Sequence, residues 1–260
     1  MNDSSGTEPF DVPEAYRRHL NPAFVKLLGV FGYGRVFTGA SGCTLEDDQG
    51  RTYLDALAAF GSVNIGHNHP RLTARLAAFM GEGHLNLAHT GFSPTVAACA
   101  QRLAEVTPDG LEISLFASGG SEAVEAAIKL ARAATGRHGV LYCDGGFHGT
   151  SLGTLSIMPE ARFRAPFEPL LDGCHRIPFG DLEALVAALE THTPAVFVVE
   201  PIQAEGGVII PPAGYLAAAQ DACRAAGTVL ALDEIQTGLG RTGTLFAFER
   251  EGFVPDVLLL

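Results

Sequence analysis

The stretch Leu230-Ala-Leu-Asp-Glu-Ile-Gln-Thr-Gly-Leu-Gly-Arg241 opens as a short apolar run after Gly227 and sets an acid, Asp233, where the run ends. A run of this kind reads as a buried parallel strand, which delivers its last side chain to the carboxyl edge of the sheet, where open α/β folds bind ligands. A carboxylate buried there is costly unless something compensates it. The same acid also reads as a cap for the next turn or as the partner of a structural arginine, and this stretch by itself leaves those readings open.

Working outward, the pattern after Gly110 alternates strands and helices. The predicted strands are Ile113 to Ala117, Gly139 to Cys143, Thr154 to Met158, Ala195 to Glu200, Val229 to Asp233 and Asp256 to Leu260. The predicted helices are Ser121 to Thr135, Leu182 to Glu190 and Tyr215 to Ala226, each with an alanine- and leucine-rich face. Apolar strands separated by helices imply an α/β fold with a mainly parallel sheet flanked by helices. Upstream, helices are expected over Arg71 to Met80 and about Pro94 to Glu105, and a hairpin over Cys43 to Leu54 turning at Gln49-Gly50. Residues 1 to 20 read as a mobile or surface-draped leader, and glycines 29, 32, 34, 39 and 42 break any long element between Asn21 and Asp48. The expected division is an N-terminal arm and small subdomain segment over 1–60 and a large, incomplete α/β domain over 61–260.

A chain of 260 residues can bury a sizeable core. A formal net charge of -12 with only 17 Lys+Arg leaves no basic footprint, so nucleic acid and anionic membrane are poor partners. No apolar run reaches the length of a membrane span, and the first residues lack the basic end and apolar core of a signal peptide. The five cysteines lack CxxC or metal-ligand spacing and suit a reducing cytoplasm. His67, His69 and His84 have no acid or cysteine at ligand spacing, so a hydrogen-bonded loop is expected and no metal site.

Three further stretches carry chemistry. Ser118-Gly-Gly-Ser-Glu-Ala123 follows an expected strand and opens a helix, so backbone amides converge with the helix's positive end into an anion nest, with Ser121 adding a hydroxyl. It is neither a P-loop nor a dinucleotide fingerprint, and an ordinary capped turn is the plain alternative. Asp144-Gly-Gly-Phe-His-Gly-Thr150 sets Phe147 to wall a planar ligand, or to pack as a core aromatic, and His148 to line the same face, or to make a structural hydrogen bond. Glu200-Pro-Ile-Gln-Ala-Glu205 ends a buried strand with two acids that either enter a site or pair with arginines to fix the loop. One ligand with a phosphate, a flat ring and a basic ring nitrogen explains all four strand ends, because an acid that keeps such a nitrogen protonated makes the ring a better electron sink.

From about Gly42 to Leu260 the chain resembles the class III, ornithine and putrescine type, aminotransferases of pyridoxal-phosphate fold-type I. The resemblance rests on Ser118 to Ala123, Phe147-His-Gly149, Glu200-Pro-Ile-Gln203, and Leu232-Asp-Glu-Ile-Gln-Thr-Gly238 with Arg241-Thr-Gly243. Arg164-Ala-Pro-Phe-Glu-Pro-Leu-Leu171 and Gly206-Gly-Val-Ile-Ile-Pro-Pro212 are similar to the diamine-using members in particular. The resemblance implies pyridoxal 5'-phosphate as cofactor, with Gly120 and Ser121 on its phosphate, Phe147 and His148 at its ring, Asp233 on the pyridine nitrogen and Gln236 near the ring hydroxyl. It implies Glu200 and Asp233 as the catalytic acids, and Glu205 as the match to an acid that pairs with a mobile arginine in several members. It also implies a cytoplasmic homodimer that takes an amine donor and a 2-oxo acid acceptor.

Two departures matter. Thr150 stands where ornithine-type members usually carry arginine, so a carboxylate clamp is missing on the substrate side, which tilts the expected donor toward a diamine or other ω-amine. The only lysines are Lys26 and Lys129, the latter set four residues after Glu125 as a helix-surface ion pair. The family's aldimine lysine is expected about two positions beyond Leu260. Because Asp256-Val-Leu-Leu-Leu260 ends on an apolar strand without a polar finish, the sequence reads as truncated before a C-terminal domain and inactive as it stands. The alternatives are an ornithine-, acetylornithine- or other ω-amino-acid aminotransferase, a decarboxylase, racemase or aminomutase of the same likeness, and a non-catalytic homologue acting as a structural partner. A nicotinamide dehydrogenase would need a glycine fingerprint that is missing.

Overall fold

The computed structural model describes residues 10–84 and 90–260, and the chain divides into two compact units, Met1–His84 and Leu85–Leu260. The division falls later than the 60/61 boundary expected from sequence.

The first unit contains α1 (Val12–His19), α2 (Pro22–Val30), the antiparallel sheet β1 (Phe37–Ser41), β2 (Thr44–Asp47) and β3 (Thr52–Leu54), and α3 (Pro70–Gly81). The expected hairpin is β2–β3, turning through Gly50 at φ +73°. Asp47 locks it by accepting from the Arg51 and Gln49 amides, Arg51 Nε and the Tyr53 hydroxyl. Of the leader expected over 1–20, Val12–His19 is a helix with no buried residue, and residues 1–9 lie outside the described residues. Between Asn21 and Asp48 the elements are short: nine residues in α2, five in β1 and four in β2. Local chemistry explains the two helices: Asp11 and Asn21 accept from the amides of Glu14 and Phe24, and Pro13 and Pro22 supply helical φ in the first turn.

The second unit carries α4 (Pro94–Val106), α5 (Gly120–Thr135), β4 (Val140–Cys143), α6 (Leu152–Ser156), α7 (Ala161–Arg164), β5 (Cys174–Ile177), α8 (Leu182–His192), β6 (Val196–Val199), α9 (Tyr215–Ala226), β7 (Val229–Asp233) and β8 (Val257–Leu259). Its five strands are all parallel, in the order β5-β4-β6-β7-β8. Successive strand residues alternate between two cores. Leu141, Phe197, Val199, Leu230 and Leu232 pack with Leu185 and Leu189 of α8 and Leu216, Ala219 and Cys223 of α9. Val140, Tyr142, Val196, Val198 and Ala231 pack with Val124, Ala127, Ile128 and Ala131 of α5. Because both faces are covered, the central strands are apolar throughout, which made them legible as buried parallel strands.

Two strand expectations need correction, and one strand was missed. Ile113 to Ala117 forms no strand among the described residues, with Ile113 93% and Phe116 51% exposed; an apolar run becomes a strand only where a neighbouring edge offers its hydrogen bonds. Thr154 to Met158, expected as a strand, begins inside α6, because a short buried apolar run has no period that separates helix from strand. β5 was missed because Cys174-His-Arg-Ile177 lies at the sheet edge and keeps polar side chains there.

Candidate functional site

The order of the sheet reverses around β4: β5 lies on one side of it and β6 on the other, which opens a crevice at the carboxyl edge. A cleft of about 250 Å³ lies there, lined by Gly120, Ser121, Phe147, His148, Gly149, Glu200, Ile202, Asp233, Ile235, Gln236 and Thr237. Residues from the start of α5 and from beyond β4, β6 and β7 therefore meet, although Gly120 and Thr237 at the extremes are 117 positions apart in sequence.

At the start of α5, Gly119 caps the helix without a side-chain bond, so the first-turn amides keep no side-chain acceptor. Glu122 of the same turn accepts from the Ser118 amide. A Cβ on Gly120 would meet Ile235 Cδ1 at 2.9 Å, so glycine keeps this wall of the cleft open. Ser121 Oγ accepts from the Thr150 amide at 3.2 Å, and among the described residues its own hydrogen has no acceptor. That seat depends on Gly149, whose φ is +112° and whose Cβ would collide with Ser121 Oγ.

Beyond β4, Phe147 lines the cleft 40% exposed, not the core. The next side chain, His148, is buried, and its Nδ1 lies 2.7 Å from Asp233 Oδ2. Asp233 is also buried, and its Oδ1 accepts from the Ile235 amide at 3.1 Å. Among the described residues its partners are therefore a histidine and a backbone amide, and no arginine is bonded to it. Burial works against a charge on His148, but the hydrogen bond and charge of Asp233, helped by Glu200, raise its pKa above the ordinary value.

Glu200 is buried where β6 ends and accepts from the Phe147 amide at 3.1 Å. Burial pushes its carboxyl up to about 7; His148 and the Phe147 amide pull it down, and Asp233 and Glu205 push it further up. The two carboxylates of this loop thus separate: Glu200 lines the cleft, and Glu205 is exposed and accepts from Gln236 Nε2 at 3.2 Å. Thr150 is exposed as well; its backbone contacts Ser121, and its side chain is not part of the lining.

Several contributors escaped sequence reasoning. Ile202 and Ile235 form apolar walls, and Ile235, two residues beyond Asp233, carried the period of an extended chain as its only signal. Gln203 is buried and donates to the Asp144 carbonyl at 2.7 Å, which ties the β6 loop to the β4 loop. In the first unit, His67 Nε2 lies 2.7 Å from Asp55 Oδ2 and His84 Nε2 lies 2.7 Å from Glu82 Oε2.

Comparison with known proteins gives a consistent picture. The family model "Aminotransferase class-III" matches residues 32–260. Aminotransferase PigE of Serratia sp. (strain ATCC 39006) is 41% identical over 251 residues, covering 96% of this chain and 29% of PigE. An (S)-enantioselective omega-transaminase from Thermomicrobium roseum superposes with a TM-score of 0.86 at 31% identity, over 96% of this chain and 63% of that one. An ornithine aminotransferase from Toxoplasma gondii, solved with partial occupancy of PLP at its active site, gives 0.80 at 32% identity, over 96% and 62%. The chain thus spans less than a third of the curated relative and somewhat under two thirds of the solved ones.

Proposed function

The chain belongs to the class-III aminotransferase family, and on that premise we propose that its cleft binds pyridoxal 5'-phosphate and serves the transfer of an amino group from a diamine or other ω-amine to a 2-oxo acid. The observation that carries this reading is the buried carboxylate of Asp233 at the end of β7, oriented by His148 and opening on the cleft.

The residues present fit the cofactor. The uncapped first turn of α5, with the Ser121 hydroxyl beside it, suits a phosphate. Phe147, Ile202 and Ile235 offer apolar surface to a flat ring and keep water from it. Asp233, bonded among the described residues only to His148 and the Ile235 amide, suits a protonated ring nitrogen. The bound cofactor supplies an electron sink for the carbon that loses its proton. Asp233 holds the proton at the ring nitrogen, and His148 fixes which carboxylate oxygen does so. Glu200 fixes the Phe147 backbone and so the plane against which the ring lies.

Proton transfer at the substrate carbon needs an amine in the cleft. Lys26 and Lys129 do not line it, so the proposed activity is that of a protein that brings another lysine there. The lining residues include no arginine or lysine, which supports a donor whose far end is an amine and not a carboxylate. We further infer a cytoplasmic homodimer. The five unpaired cysteines are consistent with a reducing compartment, and the exposed apolar Phe92, Ile113, Leu115 and Phe116 favour association. Among the described residues no helix is long and apolar enough to cross a membrane.

Borohydride trapping of pyridoxal phosphate on the protein from its native source, followed by peptide mapping and an amine and oxo-acid screen, tests the proposal. A label on a lysine other than Lys26 and Lys129, with oxo acid consumed in step with the amine, is the expected result. Absence of label together with no oxo-acid consumption would sink it.

A further inference from the structure

The helix α5 meets the segment after β4 at two points one helical turn apart. At the first, Ser121 Oγ accepts from the Thr150 amide at 3.2 Å, and a Cβ at Gly149 would strike the hydroxyl. At the second, four residues on and so on the same helix face, the half-buried Glu125 accepts through Oε1 from the Ser151 hydroxyl at 2.7 Å and from the Gly153 amide at 2.9 Å. A Cβ at Gly153 would strike that carboxylate. Ser151 precedes α6 without bonding its first-turn amides, and Glu125 accepts one of them in its place. Although Lys129 follows Glu125 by four residues, no ion pair joins them among the described residues. Glu125, Ser151 and Gly153 all lie outside the cleft lining.

We propose that Glu125 is a positioning residue for the anion seat at the start of α5. By holding Ser151 and Gly153 it fixes the Thr150 amide against Ser121 Oγ, and so turns the Ser121 hydrogen toward the cofactor's phosphate.

The physical reason is pre-organisation. A serine side chain has three staggered settings, and its hydroxyl hydrogen rotates to suit its partners. A donor fixed at the oxygen selects one setting and leaves the hydrogen to point elsewhere, so the hydroxyl meets an anion already oriented and loses little freedom on binding. The Thr150 amide can act in this way only if its own peptide is held. Gly149, just before it, has wide backbone freedom and lends no stiffness. The restraint therefore comes from the other side, where Glu125 grips the next residue and the third. The consequence for phosphate rests on the proposed function; the link from Glu125 to Ser121 does not.

The test compares E125A, E125Q and S121A with the wild type, by residue-resolved amide exchange without cofactor and by titration with pyridoxal phosphate and with pyridoxal, which has the same ring and no phosphate. Thr150 is exposed, so its bond to Ser121 is what slows its amide. In E125A we expect that protection to be lost and pyridoxal phosphate to bind about tenfold more weakly, the scale of a hydrogen bond to a charged group, while pyridoxal binding is unchanged. A merely structural loss would weaken both ligands alike. E125Q should match the wild type, because both bonds fall on one oxygen, which an amide carbonyl replaces. In an S121A background, E125A should change pyridoxal phosphate affinity by less than about twofold, since residues acting through one interaction do not add. Unchanged Thr150 exchange in E125A, equal weakening of both ligands, additive losses, or an E125Q variant as weak as E125A overturns the proposal. Should E125A not fold, S151A removes one of the two bonds and carries the same arms, with a smaller loss expected. If the wild type binds no pyridoxal phosphate, the proposed function fails, and the exchange arm alone decides the link.

Discussion

Gly149 shows how a residue without a side chain builds a ligand site. Its φ of +112° is closed to most side chains, and a Cβ would displace the Ser121 hydroxyl. The expected outcome for Gly149→Ala is a loss of roughly 1–3 kcal/mol of stability with pyridoxal phosphate affinity reduced about tenfold or more; urea unfolding and a fluorescence titration of the cofactor measure the two. Glu200 gives a pH signature. Its folded-state value of about 7 lies above the ordinary 4.5, so the protonated carboxyl stabilises the fold fully below pH 4.5, and that contribution is lost as pH rises through 7. The sign follows because the native state binds more protons than the unfolded one in that window. Glu200→Gln should remove on the order of 3 kcal/mol of this pH dependence, and denaturation midpoints measured from pH 4 to 8 will show whether the slope flattens. The sequence marked Glu200 as an acid at a strand end. That it is the near-neutral member of the Glu200/Glu205 pair could be known only from its burial beside His148.

Elements here are held in place by acids from distant loops. Glu251 accepts from the amides of Leu216 and Ala217 and so caps α9 from another segment. Asp256 receives the Leu230 amide and Gln220 Nε2, tying β7 to α9. Glu251→Ala is expected to cost about 1 kcal/mol, the usual value of a lost N-cap, read from chemical denaturation. Hydrogen exchange should separate true strands from extended chain. Amides of 113–117, which pair with no described strand, should exchange without protection, while those of β6, bonded between β4 and β7, should open only with global unfolding. Protection across 113–117 would show that this run has found an edge. Long amphipathic helices such as α5 and α9 were legible because their period extends over three turns or more. α6, five residues long, carried no period to read.

For the whole molecule, the cleft's charge pattern sets a preference among substrates. Since no arginine or lysine lines it, an aminotransferase built on this cleft should favour a diamine over an amino acid of equal chain length by about tenfold or more in kcat/KM, the scale expected when a substrate carboxylate lacks its partner. A donor series with matched carbon counts checks this, and equal rates would mean that a clamp comes from residues outside the lining. What the sequence determined by itself was the layer order: runs apolar enough to be buried on both faces, spaced by helices, can only form a parallel sheet with its ligand edge at the carboxyl ends. The strand-end motifs and their acids followed from the same reading. What only the tertiary structure decided was how those ends meet. The bond from His148 to Asp233 and the seating of Ser121 on Gly149 are contacts between residues 85 and 28 positions apart. Their strength comes from burial in low dielectric, which no local pattern records, because desolvation is a property of the packed whole and not of any stretch within it.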